Sequence, residues 1–162
     1  MAARPPLSLK ARALRWLSQR EHSRLELRRK LLRAARLGDA GLDPAERPDR
    51  TAEIDCLLDW LATHRYLSEA RFVESRVHAR AARYGQRRIE QELSRHDASL
   101  DADTAAQLRA SEFDRARGVW ARKFGAEPAT DAAARSKQMR FLAARGFAAE
   151  VIRRVVQGRD DD

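Results

Sequence analysis

The chain has 162 residues, 33 Lys and Arg against 24 Asp and Glu, and one cysteine. That length holds one domain or a short array of small units, and a single cysteine excludes an internal disulfide and a cysteine-rich zinc ribbon. The net charge of +9 is almost all arginine, since lysine occurs only at Lys10, Lys30, Lys123 and Lys137; the surplus implies an anionic partner, nucleic acid or an acidic protein surface.

Residues 1–8 read as a disordered lead-in. They and the residues after them carry no apolar run long enough for a signal peptide or a membrane span, so the reading is a cytoplasmic protein with no membrane partner. From there apolar residues recur at helical spacing, and no stretch alternates like a half-buried strand. Ser8 is placed to cap a helix over 9–19. Ser23-Arg-Leu-Glu26 is a capping box that opens a helix over 24–36. Leu27, Leu31, Ala34 and Ala35 share one face of it, and Gly38 beyond it is placed for a left-handed cap. A linker runs from Asp39 to Asp49. The next helix, 51–64, has an apolar stripe of Ile54, Leu57, Leu58 and Leu61, and Cys56 within that run reads as a small core residue. Ser68 caps a helix over 69–82, and Tyr84-Gly85 turns the chain into another over 86–95. A single long helix is predicted over 102–124, with Phe113, Ala116, Trp120 and Phe124 in line and Gly125 past its end. Thr130 caps a helix over 131–145, Gly146 closes it, and 147–157 is the eighth. Residues 159–162 form an acidic tail.

The chain also repeats itself. Helices bearing Trp16, Trp60 and Trp120 each lead to a later helix, and Leu27, Ile89 and Val151 in those helices are spaced 62 residues apart. The spacing predicts an abbreviated first repeat and linker at 9–50, a central repeat at 51–98 and a third at 99–158. A unit of two or three short helices buries too little to stand alone, and stacked units share a core. The expected fold is all-α, an elongated, curved array of tandem three-helix repeats.

Seven arginines fall between Ser68 and Arg95. Arg76, Arg80 and Arg83 share one helix face by spacing, and Arg87 and Arg88 open the next helix, with Arg95 at its end. A second cluster holds Arg115, Arg117, Arg122 and Lys123. A third holds Arg135, Lys137, Arg140, Arg145, Arg153 and Arg154. A guanidinium fork suits phosphate and carboxylate alike, so spacing does not separate DNA from acidic protein; the competing reading is local neutralisation by Glu74, Glu90 and Glu92. The candidate binding residues are Arg76, Arg80, Arg83, Arg87, Arg88, Arg95, Arg135, Lys137 and Arg140. Nothing points to catalysis. The four histidines show no paired metal spacing, no glycine-rich phosphate loop is present, and Glu90 and Glu92 point to different faces. The expectation is no enzyme activity, no metal and no cofactor.

Three segments together resemble the RecX family, regulators of the RecA recombinase. The first is Arg20-Glu-His-Ser23-Arg-Leu-Glu26-Leu27-Arg-Arg-Lys30-Leu31. The second runs from Tyr66-Leu67-Ser-Glu-Ala-Arg71-Phe72 through Arg76 to Gly85-Gln-Arg-Arg88-Ile89-Glu-Gln-Glu92-Leu93. The third is Arg135-Ser-Lys137-Gln-Met-Arg140-Phe141-Leu142-Ala-Ala-Arg145-Gly146-Phe147. The likeness covers about residues 11 to 157. Where the family often has Lys-Gly after its Glu-Leu pair, this chain has Ser94-Arg95-His96-Asp97. The resemblance implies tandem three-helix repeats. It also implies a protein that lodges in the groove of the RecA–DNA filament, inhibits ATP hydrolysis and strand exchange, and limits filament growth; the partner expectation beside it is a monomer. DNA would then be a weak partner or one met within the filament. The alternative is a helical protein acting on DNA directly.

Overall fold

The structure, a computed structural model, describes residues 7–125 and 128–158. Most of the expected lead-in and all of the acidic tail lie outside them. The described residues fold into helices joined by turns and loops, with no strand: α1 Leu9–Leu17, α2 Arg24–Gly38, α3 Thr51–Thr63, α4 Glu69–Ala81, α5 Gln86–Ser94, α6 Ala102–Ala110, α7 Glu112–Phe124, α8 Ala132–Ala144 and α9 Ala149–Gln157. The chain divides into two compact units, Met1–Phe72 and Val73–Asp162, and the division falls within α4.

In the first unit α2 packs against α1 and α3. The stripes expected on α2 and α3 supply the core: Leu27, Leu31, Ile54, Leu58 and Leu61 are fully buried, each contributing about 1.5–3 kcal/mol. Arg28 spans the two helices to Asp55 at 2.7 Å and Arg24 reaches Asp59 at 2.7 Å. Cys56 is exposed, contrary to the core reading. Ile54, Leu58 and Leu61 define the inward face, and a residue two positions after Ile54 lies about 200° round the helix.

The opening motif is spent on this unit. Ser23 Oγ accepts the Glu26 amide at 3.1 Å, while the Glu26 carboxylate takes the Arg20 guanidinium. His22 is buried. Its Nδ1 lies 3.0 Å from the Arg20 carbonyl and its Nε2 3.0 Å from Lys30 Nζ. A carbonyl only accepts and an ammonium only donates, so the ring is neutral with its proton on Nδ1. Burial is the main reason the His22 pKa lies below its ordinary value, with the Arg20 and Lys30 charges acting in the same direction; its bond to the Arg20 carbonyl and the Glu26 carboxylate oppose. A lowered histidine pKa means that the unfolded chain binds the proton more readily. Stability should therefore be complete above pH ~6.5 and fall below it, by at most ~1.4 kcal/mol per pH unit for this group. Urea midpoints at pH 7 and 5 measure this, and His22→Gln should flatten the difference; an equal slope in that variant would assign it elsewhere.

In the second unit α7, α8 and α9 pack as a three-helix group, with α6 bridging α5 and α7. Trp120, Leu142, Phe147, Ile152, Val155 and Val156 form its core, and the Trp120 indole donates to Gln138 Oε1 at 2.9 Å inside it. The helix predicted over 102–124 is two helices, α6 and α7. They break at Ser111, whose hydroxyl lies 3.0 Å from the Gln107 carbonyl and 3.4 Å from that of Leu108; a serine hydroxyl competes in this way with the helix ladder. The cap of α8 is Asp131, not Thr130: its carboxylate takes the Ala134 amide at 2.7 Å. Gly38 is the last residue of α2 rather than a left-handed cap, and Asp39 follows as the C-cap. After α5, Asp97 adopts the left-handed conformation (φ 57), the αL position that Asp tolerates better than most residues.

The repeat register shifts by one residue in the last helix. Leu27, Ile89 and Ile152 are each the fourth residue of α2, α5 and α9, and all three are buried. Val151, the expected equivalent, is half-buried. The last helix begins at Ala149 rather than 147 because Gly146 (φ +80) carries the turn and Phe147 is used as a core residue.

Candidate basic site

The arginines around Tyr84-Gly85 are placed by two charged residues on α7. Arg115 Nη1 donates to the carbonyls of Ala81 (3.0 Å) and Tyr84 (2.7 Å), its Nη2 to Leu108 (2.8 Å) and its Nε to Ser111 Oγ (3.1 Å). A cation thus closes the C-terminal end of α4, where the helix dipole and unsatisfied carbonyls favour positive charge. Three residues earlier, buried Glu112 accepts the Gln86 amide at 3.2 Å, so a carboxylate meets the N-terminus of α5. Burial lowers the Arg115 pKa from its ordinary value, and the Glu112 charge works against that. Arg115, counted by spacing with a binding cluster, is therefore a structural residue.

The turn is also pressed against the one between α8 and α9. Gly85 N donates to the Arg145 carbonyl at 2.9 Å. A Cβ on Gly85 would lie 2.3 Å from Gly146 O, and one on Gly146 would lie 2.5 Å from Arg88 N. The glycines of the second and third motifs meet each other.

On this frame the nine candidate residues divide. Arg80 donates to Glu92 at 2.9 Å, so the local-pairing alternative holds for that arginine, while Glu90 takes the Gln86 side chain. Arg83 does not continue the face of Arg76 and Arg80, because α4 ends at Ala81 and Arg83 sits in the turn. Arg76 and Arg88 are half-buried. Arg83, Arg87, Arg95, Arg135, Lys137 and Arg140 are exposed and form no ion pair among the described residues. Arg71 belongs to the first unit, where it pairs with Glu21 at 2.7 Å.

The structure gathers a set that spacing did not select. An open pocket of about 380 Å³ is lined by Arg83, Arg122, Lys123 and Arg145, with Tyr84 and Phe141 beside them. No carboxylate is among its described lining residues. Two of the guanidiniums are anchored: Arg122 Nη2 donates to the Ala82 carbonyl at 3.0 Å, and Arg145 Nη1 to that of Arg83 at 3.3 Å. Arg145 lies 4.6 Å over the Phe141 ring and 5.7 Å from that of Tyr84, with Arg80 at 5.8 Å from Tyr84. Phe141 is half-buried: it packs edge-on against Phe124 at 5.2 Å and also lines the pocket. The sequence signals for this grouping are partial: Arg122 and Lys123 are neighbours in the second cluster, and Arg83 and Arg145 stand 62 residues apart, the repeat interval.

Comparison with known proteins agrees with the motifs. Residues 110–156 match the family model for the third three-helix domain of RecX, a span that takes in α7, α8 and α9 as far as Val156. The regulatory protein RecX of Ralstonia nicotianae is 51% identical over 97% of this chain and 91% of its own length. The chain belongs to the RecX family. The RecX of Herbaspirillum seropedicae is 52% identical over 95% of this chain and 92% of its own. The crystal structure of RecX from Lactobacillus salivarius matches with a TM-score of 0.63 over 93% of each chain at 16% identity, a likeness of fold. RecX relatives are named as regulatory proteins, and no described helix of this member is long and apolar enough to cross a membrane.

Proposed function

We propose that this RecX-family chain is a non-enzymatic modulator, mainly an inhibitor, of the RecA recombinase. It binds the RecA–DNA filament and limits ATP hydrolysis, strand exchange and filament growth. The observation that carries the reading is near-full-length similarity to regulatory RecX proteins, joined to the family role that the three motifs imply. The exposed arginines on the α4–α5 turn and along α5 and α8 suit a filament that offers acidic protein and DNA together. In this reading the protein acts in the cytoplasm as a monomer without cofactor, and its repeats span 9–50, 51–98 and 99–158.

The test is RecA's DNA-dependent ATP hydrolysis, titrated with this protein below stoichiometric amounts. Inhibition well below one-to-one is expected, with only weak binding to free DNA. Arg83→Glu with Arg87→Glu should raise the half-inhibitory concentration by roughly tenfold or more with helicity retained; Arg80 is left in place because it holds Glu92. Undiminished hydrolysis alongside tight, salt-sensitive binding to bare DNA would replace this reading with direct action on DNA.

A further inference from the structure

The pocket between the α4–α5 turn, α7 and α8 has a chemistry more specific than a basic surface. Four cations converge on it and no described lining residue is acidic. A concave site of one charge sign focuses its field and concentrates the opposite charge. Two of the four are already oriented. The carbonyls of Ala82 and Arg83 each occupy one terminal nitrogen, of Arg122 and Arg145 respectively, and Phe141 supports the face of Arg145. The remaining N–H groups of such anchored forks suit tetrahedral oxygens, and little side-chain entropy is left to lose on binding. Neither Arg83 nor Lys123 has an ion pair among the described residues.

The aromatic rings narrow the ligand. In a site that stacks bases, aromatic faces stay open. Here Phe141 carries Arg145, and Tyr84 has both Arg80 and Arg145 within 6 Å of its centroid. Both rings thus have guanidiniums packed near them, which competes with the stacking of a base. A nucleic-acid strand places one charge at every nucleotide, so adjacent phosphates can engage several of these cations at once, and nothing in the lining reads base edges.

We propose that the Arg83–Arg122–Lys123–Arg145 pocket is a base-blind clamp for the phosphodiester backbone of a single nucleic-acid strand. It assigns Arg122, Lys123 and Arg145 a direct strand contact that the filament reading does not require. RecA is absent from its test, so either reading can fail alone.

The experiment is fluorescence anisotropy with the full chain and three labelled 12-mers: oligo-dT, oligo-dA and an abasic deoxyribose-phosphate strand. A glutamate 12-mer serves as competitor. All three strands should bind within about threefold of one another. Arg122→Ala with Lys123→Ala should weaken binding about tenfold or more at 0.1 M salt and make the log–log salt slope shallower by roughly 1.4, about 0.7 per lost phosphate contact. Lys123→Glu alone, whose ammonium has no hydrogen-bond partner among the described residues, should reproduce the direction if Arg122→Ala perturbs folding through its bond to Ala82. Loss of the abasic strand by more than tenfold would overturn the proposal in favour of base reading. Equal displacement by the glutamate peptide would overturn it in favour of an acidic protein partner, and unchanged affinity in the Lys123→Glu variant would remove the pocket altogether.

Discussion

Arg115→Met should lower stability by about 3 kcal/mol, with a fall in Tm of roughly 6–12 °C. The guanidinium joins three backbone carbonyls and one hydroxyl, those of Ala81, Tyr84, Leu108 and Ser111. Hydrogen bonds from a charged donor are worth about 1.5–3 kcal/mol each when measured singly, and a carbonyl left buried without a partner costs about 1–3. The sum overshoots, because desolvating the guanidinium opposes it; the depressed pKa of Arg115 is the mark of that cost. Methionine keeps much of the stem's volume, so the loss reports the polar network rather than a cavity. Arg135→Ala, at an exposed helix position, should change stability by no more than ~0.5 kcal/mol. A loss below 1 kcal/mol for Arg115→Met in urea denaturation would mean that water replaces the network, and that Arg115 is free for the binding role its spacing suggested.

Gly146→Ala should cost about 4 kcal/mol. Two effects act together. The new methyl would lie 2.5 Å from Arg88 N and 2.6 Å from Arg88 Cβ, and φ at this residue is +80. Overpacking costs about 1–3 kcal/mol and a left-handed conformation about 1–2 for an L residue. Gly85→Ala meets only the first effect, since its φ of −75 is ordinary, and should cost about 2–3 kcal/mol. Its obstacle is the backbone of Gly146 and Phe147, which cannot rotate aside as a side chain would. Both substitutions act on one contact, so the double variant should be less destabilised than the sum by 1 kcal/mol or more. Strict additivity in the double-mutant cycle would show that the two turns do not bear on each other.

The motif residues are largely structural. Arg20, Ser23, Glu26, Leu27 and Leu31 secure the first unit; Gly85, Ile89, Glu92, Leu93, Leu142 and Gly146 secure the second. Most of the signature is occupied in holding helices at their ends and crossings. The arginines left facing solvent are the ones with charge to offer a partner.

Helix positions, the apolar stripes of α2 and α3, the Ser8 and Ser23 caps and the repeated plan were legible from residue order alone, because helical period and capping depend on neighbours three or four positions apart. The break at Ser111 was not, since a serine is tolerated in a helix until its surroundings decide where the hydroxyl turns. Cys56 lay inside an apolar run, but the inward face was set by α2, on the other side. Spacing placed Arg76, Arg80 and Arg83 together as though α4 continued. It ends at Ala81, where Arg115, 34 residues further on, supplies its cap. Residue order thus determined which segments are helical and that the surface is rich in arginine. Tertiary structure alone decided which arginines are consumed as caps and ion pairs and which converge on a pocket, because that depends on carbonyls and carboxylates brought from distant parts of the chain.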